Sequence, residues 1–301
     1  MLPFKLIYHP GYDLNLGNHV FPSRKYRMIH DRLREEGFAG PEDFEEPEPA
    51  TDEQVLLVHG AGWVESLKNG KLTVAELMKL EIPYSPQMVE AFWLATGGTI
   101  AAGRNALRDR IGFNLSGGFH HGFSNHGEGF CAINDVAIAI RTLQHEKRIQ
   151  RAMVLDCDVH HGNGTAAIFA GDSSVLTFSI HQFNNYPSEK PPSVIDIHLK
   201  NGVGDERYLA RLGQACRVAM QGFQPEIVFY LAGADPYQQD QLGGLALTIP
   251  GLQQRDRLVF ETAKAHNVPV AVVLAGGYAR DINDTVTIHC NTARAALEAL
   301  Q

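Results

Sequence analysis

The sequence predicts a single α/β domain, residues 1–301, built around a parallel sheet. Four short runs are rich in β-branched residues and apolar on both alternating faces: AMVLDC (152–157), VLTFSI (175–180), EIVFYL (226–231) and PVAVVLA (269–275). Such runs are typical of strands covered on both sides. Helical patterns lie between them, and this alternation indicates βαβ units. With 44% hydrophobic residues, the chain can bury one large core.

The helical patterns begin at Asn134, Asp205 and Gln254, and we expect a closing helix after Asp284. A further strand is indicated by IGFNL (111–115). The segment PEDFEEPEPATDE (41–53) is acidic and proline-rich, which predicts a solvated connection without a function of its own. No internal repeat or shift in composition divides the chain.

Composition excludes several classes of function. The net charge of −8 leaves no basic stripe to neutralise a phosphate backbone, so we expect no nucleic-acid partner. The cysteines form no CxxC pair, which argues against a disulfide framework or a cysteine zinc site and favours a reducing compartment; they are Cys131, Cys157, Cys216 and Cys290. No signal-peptide pattern and no membrane-spanning apolar run is evident. We therefore expect a cytoplasmic protein without a membrane span, of open oligomeric state.

Metal ligands, bases and a phenol follow nearly every predicted strand. After successive strands come the residues His120 and His121, Asp158 and His160, His181, Asp235, and Tyr278. In open parallel sheets, ligands gather in the loops at the carboxyl ends of the strands. Scattered surface histidines would fall on helix faces as readily. The pattern therefore predicts one convergent site.

The stretch LDCDVHHGNGT favours a metal site. Asp156, Asp158 and His160 are spaced by two, so on an extended segment their side chains leave from one face. Asp158 and His160 with the distant Asp235 would form a three-ligand site with an open position, the arrangement of catalytic zinc. The alternative is that the aspartates cap the following turn and that His160 is a core histidine.

The stretch SGGFHHGF places His120 and His121 in a glycine-rich segment. Asp156 and Asn163 remain available to orient the two rings, and a carboxylate on one with an amide on the other would push their pKa values apart. Tyr278, in AGGYAR, can donate to a developing oxyanion, although Gly-Gly-Tyr alone often only turns the chain. Together these groups predict an amide hydrolase.

Several motifs, in this order and spacing, resemble the zinc-dependent histone deacetylase superfamily: SGGFHH, GEGFCAINDVAIAI, LDCDVHHGNGT, AGADPYQQDQLGGLALT and LAGGY. The first third, with LIYHPGYDLN, VHGAGWVESLKNG and ATGGTIAAGRNAL, is similar to the class IV branch and to bacterial histone deacetylase-like amidohydrolases. The resemblance implies a three-layer arginase-like fold, with a mostly parallel eight-stranded sheet and helices on both faces. It also implies one Zn²⁺, or Fe²⁺ in its place, and hydrolysis of N-acyl-lysine or related amides.

The resemblance implies a role for each matching residue. The metal ligands would be Asp158, His160 and Asp235, and the catalytic residues His120, His121 and Tyr278, with Asp156 and Asn163 orienting the histidines. The substrate tunnel would be lined by Gly129, Phe130, Tyr186 and Leu242. A structural K⁺ would be held by Asp156, Asp158, His160, Ser179 and Ile180.

Two departures from class I members leave the substrate open. Asn163 replaces an aspartate, and IPYSPQMVE (82–90) lacks the aspartate that holds a substrate backbone at the rim. The acylated amine could belong to a protein or peptide lysine, or to a small molecule such as an acetylpolyamine. The latter predicts an acid at the tunnel mouth, for which Glu189 is the nearby candidate. Glycines beside the catalytic residues could also admit long acyl chains. A non-catalytic acyl-lysine-binding module would not need Tyr278 or the histidine pair.

Overall fold

The computed structural model describes all 301 residues and contains a sheet of eight strands. The strands are β1 Leu6–Ile7, β2 Phe44–Glu45, β3 Ile111–Asn114, β4 Ala152–Asp156, β5 Val175–Gln182, β6 Ile195–Leu199, β7 Ile227–Leu231 and β8 Val270–Val273. Their order across the sheet is β2-β1-β3-β8-β7-β4-β5-β6, and every pairing is parallel. The predicted fold class is confirmed.

The sequence did not predict β1, β2 or β6. β2 lies inside the acidic segment 41–53, so the interpretation of that segment as only a solvated connection was wrong. Its two residues pair with Leu6 and Ile7 of β1. Strands this short carry no periodicity of their own, and β6 lies at the edge of the sheet, where its mixed burial hides the apolar signal.

Ten helices cover the sheet. They are α1 Lys25–Glu35, α2 Asp52–Val55, α3 Ala61–Lys68, α4 Val74–Leu80, α5 Pro86–Asp109, α6 Asp135–His145, α7 Asn163–Ile168, α8 Asp205–Phe223, α9 Ile249–Ala265 and α10 Ile282–Leu300. α5 packs on β3, β8 and α6, whereas α8, α9, α10 and α1 contact one another in sequence. The residues of β7 are all fully buried, as expected for a strand covered on both faces.

Local sequence explains where these helices begin. Asn134 caps α6 by accepting the backbone N–H of Ala137, and Thr248 caps α9 in the same way through Gly251. α9 therefore begins at Ile249, five residues before the apolar pattern at Gln254 suggested. None of the helices is long and apolar enough to cross a membrane.

The four central strands position the site. β3, β8, β7 and β4 are neighbours and run parallel, so the loops after them meet at one edge of the sheet. These loops carry the catalytic and metal-ligating residues that the sequence predicts to converge, except His181, which lies inside β5.

Candidate active site

Asp158, His160 and Asp235 lie together at the carboxyl ends of β4 and β7. One ligand atom from each lies within 4.8 Å of the others, and all three residues are buried. The Nδ1 atom of His160 faces both carboxylates, 3.0 Å from Oδ1 of Asp158 and 3.4 Å from Oδ2 of Asp235. One nitrogen and two carboxylates directed at the same point match the three-ligand arrangement of a catalytic divalent metal.

Backbone N–H groups hold the carboxylates of Asp158 and Asp235 in place, and one carboxylate oxygen has no hydrogen-bond partner. Oδ1 of Asp235 accepts the N–H of Val159 at 2.8 Å, and Oδ2 of Asp158 accepts the N–H of Gly276 at 2.8 Å. Oδ2 of Asp235 is buried without a hydrogen-bond partner. Burial, followed by the charge of Asp158, raises the pKa of Asp235 to about 7. A carboxylate with a free buried oxygen beside a second carboxylate fits a bound cation.

His120 and His121 have different partners, as the sequence predicts. Nδ1 of His120 lies 2.7 Å from Oδ2 of Asp156, and Nδ1 of His121 lies 2.6 Å from Oδ1 of Asn163. The two rings are in contact, with centroids 4.0 Å apart. Because the amide oxygen of Asn163 can only accept, Nδ1 of His121 carries the proton and Nε2 keeps its lone pair.

The surroundings move the pKa values of the two histidines apart. Burial opposes charge on His120, but the carboxylates of Asp156 and Asp158 outweigh it and raise its pKa to about 9. Burial lowers the pKa of His121 well below its usual value, and the charges of His120 and His160 lower it further. The carboxylates therefore favour the charged form of His120, and burial favours the neutral form of His121.

The four predicted tunnel residues line one cavity of about 210 Å³. This tunnel, formed by Gly129, Phe130, Tyr186 and Leu242 among others, reaches His121, His160 and Tyr278. Gly129 has a φ of +51°, and a Cβ there would meet the rings of His121 and Tyr186 at 2.8 Å. Only glycine allows the backbone this close to both rings.

Two acidic residues, Glu81 and Glu189, lie near the tunnel, and their positions differ from the expectation. Glu81, immediately before the segment 82–90 that lacks the rim aspartate, lines the tunnel. It ends α4 in the left-handed conformation. Burial and the charge of Glu128 raise its pKa. Glu189 lies in an open groove beside the tunnel and does not line the tunnel itself. Of the two, Glu81 lines both the tunnel and the groove, whereas Glu189 lines the groove alone.

The residues assigned to K⁺ by resemblance lie at the ends of β4 and β5. Asp156 and Ser179 are register partners on the two strands. Oδ1 of Asp156 accepts the N–H of Asp158 at 3.0 Å, and the hydroxyl of Ser179 lies 2.9 Å from Nδ1 of His181. Potassium binding by this set, with His160 and Ile180, stays a prediction.

The sequence reasoning missed three residues that support the site. Asp240 accepts the N–H of Tyr278 at 2.7 Å and that of Leu242 at 2.8 Å, so it ties the phenol to the tunnel wall. Oε1 of Glu128 accepts from Nδ2 of Asn163 at 2.8 Å. Lys25 is fully buried and donates to the carbonyl of Ala275 at 2.8 Å.

A sequence signal existed for one of them. In α1, Lys25 shares a helical face with the buried Ile29 and Leu33, at a spacing of four residues. A lysine on an apolar face is costly to bury and therefore merits attention. Its ammonium group lies 5.8 Å from the ring centre of Tyr278.

Comparisons with known proteins identify the family. The histone deacetylase domain model matches residues 19–293. An uncharacterized protein of Picosynechococcus sp. is 40% identical over 294 residues, covering 97% of this chain and 98% of that protein. Histone deacetylase 2 of Arabidopsis thaliana is 32% identical over 299 residues, covering 93% of this chain and 77% of that protein.

A solved structure supports the fold. The crystal structure of an HDAC homologue from Aquifex aeolicus superimposes with a TM-score of 0.81 at 22% identity, covering 97% of this chain and 83% of that one. At this identity the match establishes the arginase-like fold alone. The family match spans most of the chain, however, and sets aside the alternative of a non-catalytic binding module. The chain belongs to the histone deacetylase family and is a hydrolase of the deacetylase class.

Proposed function

We propose that this protein hydrolyses N-acetyl-lysine in proteins or peptides, using one zinc-class ion, Zn²⁺ or Fe²⁺, held by Asp158, His160 and Asp235. The observation that carries the proposal is the position of these three ligand atoms, within 4.8 Å of one another, beside a tunnel lined by His160 together with His121 and Tyr278. When bound, the ion would polarise the acyl carbonyl and lower the pKa of the attacking water.

The side chains supply the remaining chemistry. Nε2 of His121 takes the proton of the attacking water and returns it to the leaving amine. The hydroxyl of Tyr278 donates to the carbonyl oxygen as its negative charge develops. His120, whose charged form Asp156 favours, stabilises the same negative charge without moving a proton.

The tunnel selects an alkyl amine. Phe130 and Tyr186 offer apolar ring faces to a lysine stem and exclude water from the scissile bond. The separate cavity beside the catalytic residues, lined by Phe21, Phe119 and Tyr278 among others, measures about 20 Å³. That volume holds one water molecule. It favours an acetyl group over a long acyl chain.

A second candidate substrate is favoured by Glu81. A carboxylate at the tunnel mouth can attract a second cationic group, as in an N-acetylated diamine or polyamine. In a peptide substrate the same carboxylate would accept backbone N–H groups instead. Both uses are chemically reasonable, and they differ in how strongly the rate depends on the charge of Glu81.

The proposed reaction is tested by turnover of an acetyl-lysine peptide, with the released acetate measured. Asp235→Asn should lose metal and activity together, because one of three ligands becomes a poor donor. Full metal content in that variant would contradict the ligand assignment, and a metal-loaded wild-type protein without turnover would contradict the reaction.

The substrate class is tested by Glu81→Gln. Its kcat/KM should be compared for an acetyl-lysine peptide and for N-acetyl-diaminobutane, with Glu189→Gln in the open groove as the matched control. A loss confined to the diamine would favour the small cationic amine. An equal, modest loss on both substrates would favour the peptide.

A further inference from the structure

A second group of potential metal ligands lies behind the catalytic loop, at the edge of the sheet. Its members are His161, which follows the ligand His160, His181 at the end of β5, and Asp196 in β6. One ligand atom from each lies within 4.8 Å of the others. These residues have no part in the proposed hydrolysis.

The sheet register builds this group. Ser179 and His181 lie two apart on β5, as Asp196 and His198 do on β6, so each pair shares a face. The strands pair Ser179 with Asp196 and His181 with His198. His161 covers the pair from the loop after β4, with its ring centre 4.7 Å from that of His181.

The ring nitrogens and the carboxylate oxygen point toward one another. Nε2 of His161 lies 3.2 Å from Oδ1 of Asp196, and Nε2 of His181 lies 2.9 Å from Nδ1 of His198. The hydroxyl of Ser179, 2.9 Å from Nδ1 of His181, can accept the proton of that nitrogen, which leaves the lone pair on Nε2 for a metal in place of the present contact with His198. Donors around a tetrahedral zinc are about 3.3 Å apart, since each bond is about 2.0 Å.

Hydrogen bonding within the protein leaves this group incompletely satisfied. Oδ1 of Asp196 is buried and has no hydrogen bond of good geometry, and its neighbour Nε2 of His161 lies 3.2 Å away. His161 and His181 are fully buried. Ser193 lies 3.3 Å from Nε2 of His161, which can satisfy that nitrogen but not the carboxylate oxygen. A buried carboxylate oxygen that faces imidazole nitrogens without a well-formed hydrogen bond suits a bound cation.

We propose that His161, His181 and Asp196 form a second divalent-metal site, separate from the catalytic centre, with His198 as the fourth ligand. Two or three imidazoles and one carboxylate suit a borderline ion such as Zn²⁺. The site would join the edge strand β6 to β5 and to the loop that carries His160, so its role would be structural. His198 is exposed, which gives the ion a path from solvent.

The test measures how many equivalents of Zn²⁺ are bound by the wild type and by variants of the two sites. Protein stripped with a chelator is titrated with Zn²⁺, and the equivalents bound are measured by elemental analysis after desalting. We expect two equivalents in the wild type, one in Asp235→Asn, one in Asp196→Asn and none in the double variant. Because bound Zn²⁺ is measured directly, the result does not depend on deacetylase activity. The Asp235→Asn variant removes the catalytic ion and leaves only the second site to bind metal.

Co²⁺ provides a second readout. In the Asp235→Asn background, Co²⁺ should give visible ligand-field absorption that Asp196→Asn abolishes. Asp172→Asn is the matched control, because the side chain of Asp172 is 23% exposed and that of Asp196 is 16% exposed. If Asp196→Asn does not fold, His198→Ala on the exposed side should weaken Zn²⁺ binding at least tenfold.

The proposal is overturned if the wild type binds a single equivalent of Zn²⁺, or if the Asp235→Asn protein binds none. Either result would mean that His161 and Asp196 form an ordinary hydrogen-bonded pair. Unchanged affinity in both Asp196→Asn and His198→Ala would likewise exclude this ligand set.

Discussion

Replacement of Gly276 by alanine should disable the candidate metal site without strain in the backbone. Gly276 follows β8 and lies against both metal-site carboxylates. A Cβ built on it would lie 2.0 Å from Oδ2 of Asp235 and 2.6 Å from Oδ2 of Asp158. The φ of Gly276 is outside the left-handed region, so alanine is compatible with the local conformation. The destabilising effect is a steric clash between the new methyl group and the carboxylates of Asp158 and Asp235.

The size of the effect follows from these distances. Real Cβ atoms essentially never approach another heavy atom within 3.0 Å, so the Asp235 carboxylate must move by about 1 Å, a displacement that can cost about 100-fold in rate. Neither the carboxylate of Asp235 nor the backbone of Gly276 can move away freely. Oδ1 of Asp235 is held by the N–H of Val159 at 2.8 Å, and the carbonyl of Gly276 accepts from Ala234 at 3.0 Å. A 100-fold loss corresponds to about 2.7 kcal/mol.

The assay is kcat/KM on an acetyl-lysine peptide, measured together with metal content and the midpoint of urea unfolding. Gly222→Ala in α8 is the control, because a Cβ there would meet nothing within 4 Å. We expect Gly276→Ala to lose at least about 100-fold in kcat/KM and Gly222→Ala to match the wild type. Full metal occupancy and activity within threefold of the wild type in Gly276→Ala would refute the assignment of Asp158 and Asp235.

Three further predictions follow from the structure. His121→Ala should reduce kcat by about 10²–10⁴-fold and more than His120→Ala does; the opposite ranking, with metal bound in both, would contradict the division of roles. Burial lowers the pKa of His59 from 6.5 to about 4, so the unfolded state binds more protons between these values. The free energy of unfolding should therefore fall by up to about 3 kcal/mol as pH drops through this range. In His59→Gln, the unfolding free energy measured with urea should depend less on pH. The small inner cavity predicts that kcat/KM falls about ten- to hundredfold from acetyl-lysine to octanoyl-lysine on one peptide; a rise would require a cavity that opens.

The sequence predicts the buried strands and the ligands because both depend on local spacing. β4, β7 and β8 are continuous apolar runs, and Asp158 and His160 follow β4 at a spacing of two. The edge elements depend on neighbours instead. β1 and β2 have two residues each, and only their pairing makes them strands.

Glu81 illustrates the same limit at the site. The segment after it lacks the rim aspartate of class I members, so the sequence left the recognition of a peptide backbone open. The left-handed conformation of Glu81 at the end of α4 redirects the chain and brings this residue to the tunnel. Such a turn is set by packing around the helix end, and a non-glycine residue gives no local warning of it.

The polar row across β4, β5 and β6 could be found only after the register was known. Asp156, Ser179 and Asp196 are register partners on adjacent strands and therefore share one face of the sheet. Each is polar, and each lies close to a histidine: His120, His181 and His161 respectively. A slip of one residue in β5 would turn Ser179 to the opposite face of the sheet. Asp156 on β4 and Asp196 on β6 would then no longer be joined by a polar residue between them. The geometry of the candidate active site and that of the second metal group thus depend on the same register, although the two groups use different ligands.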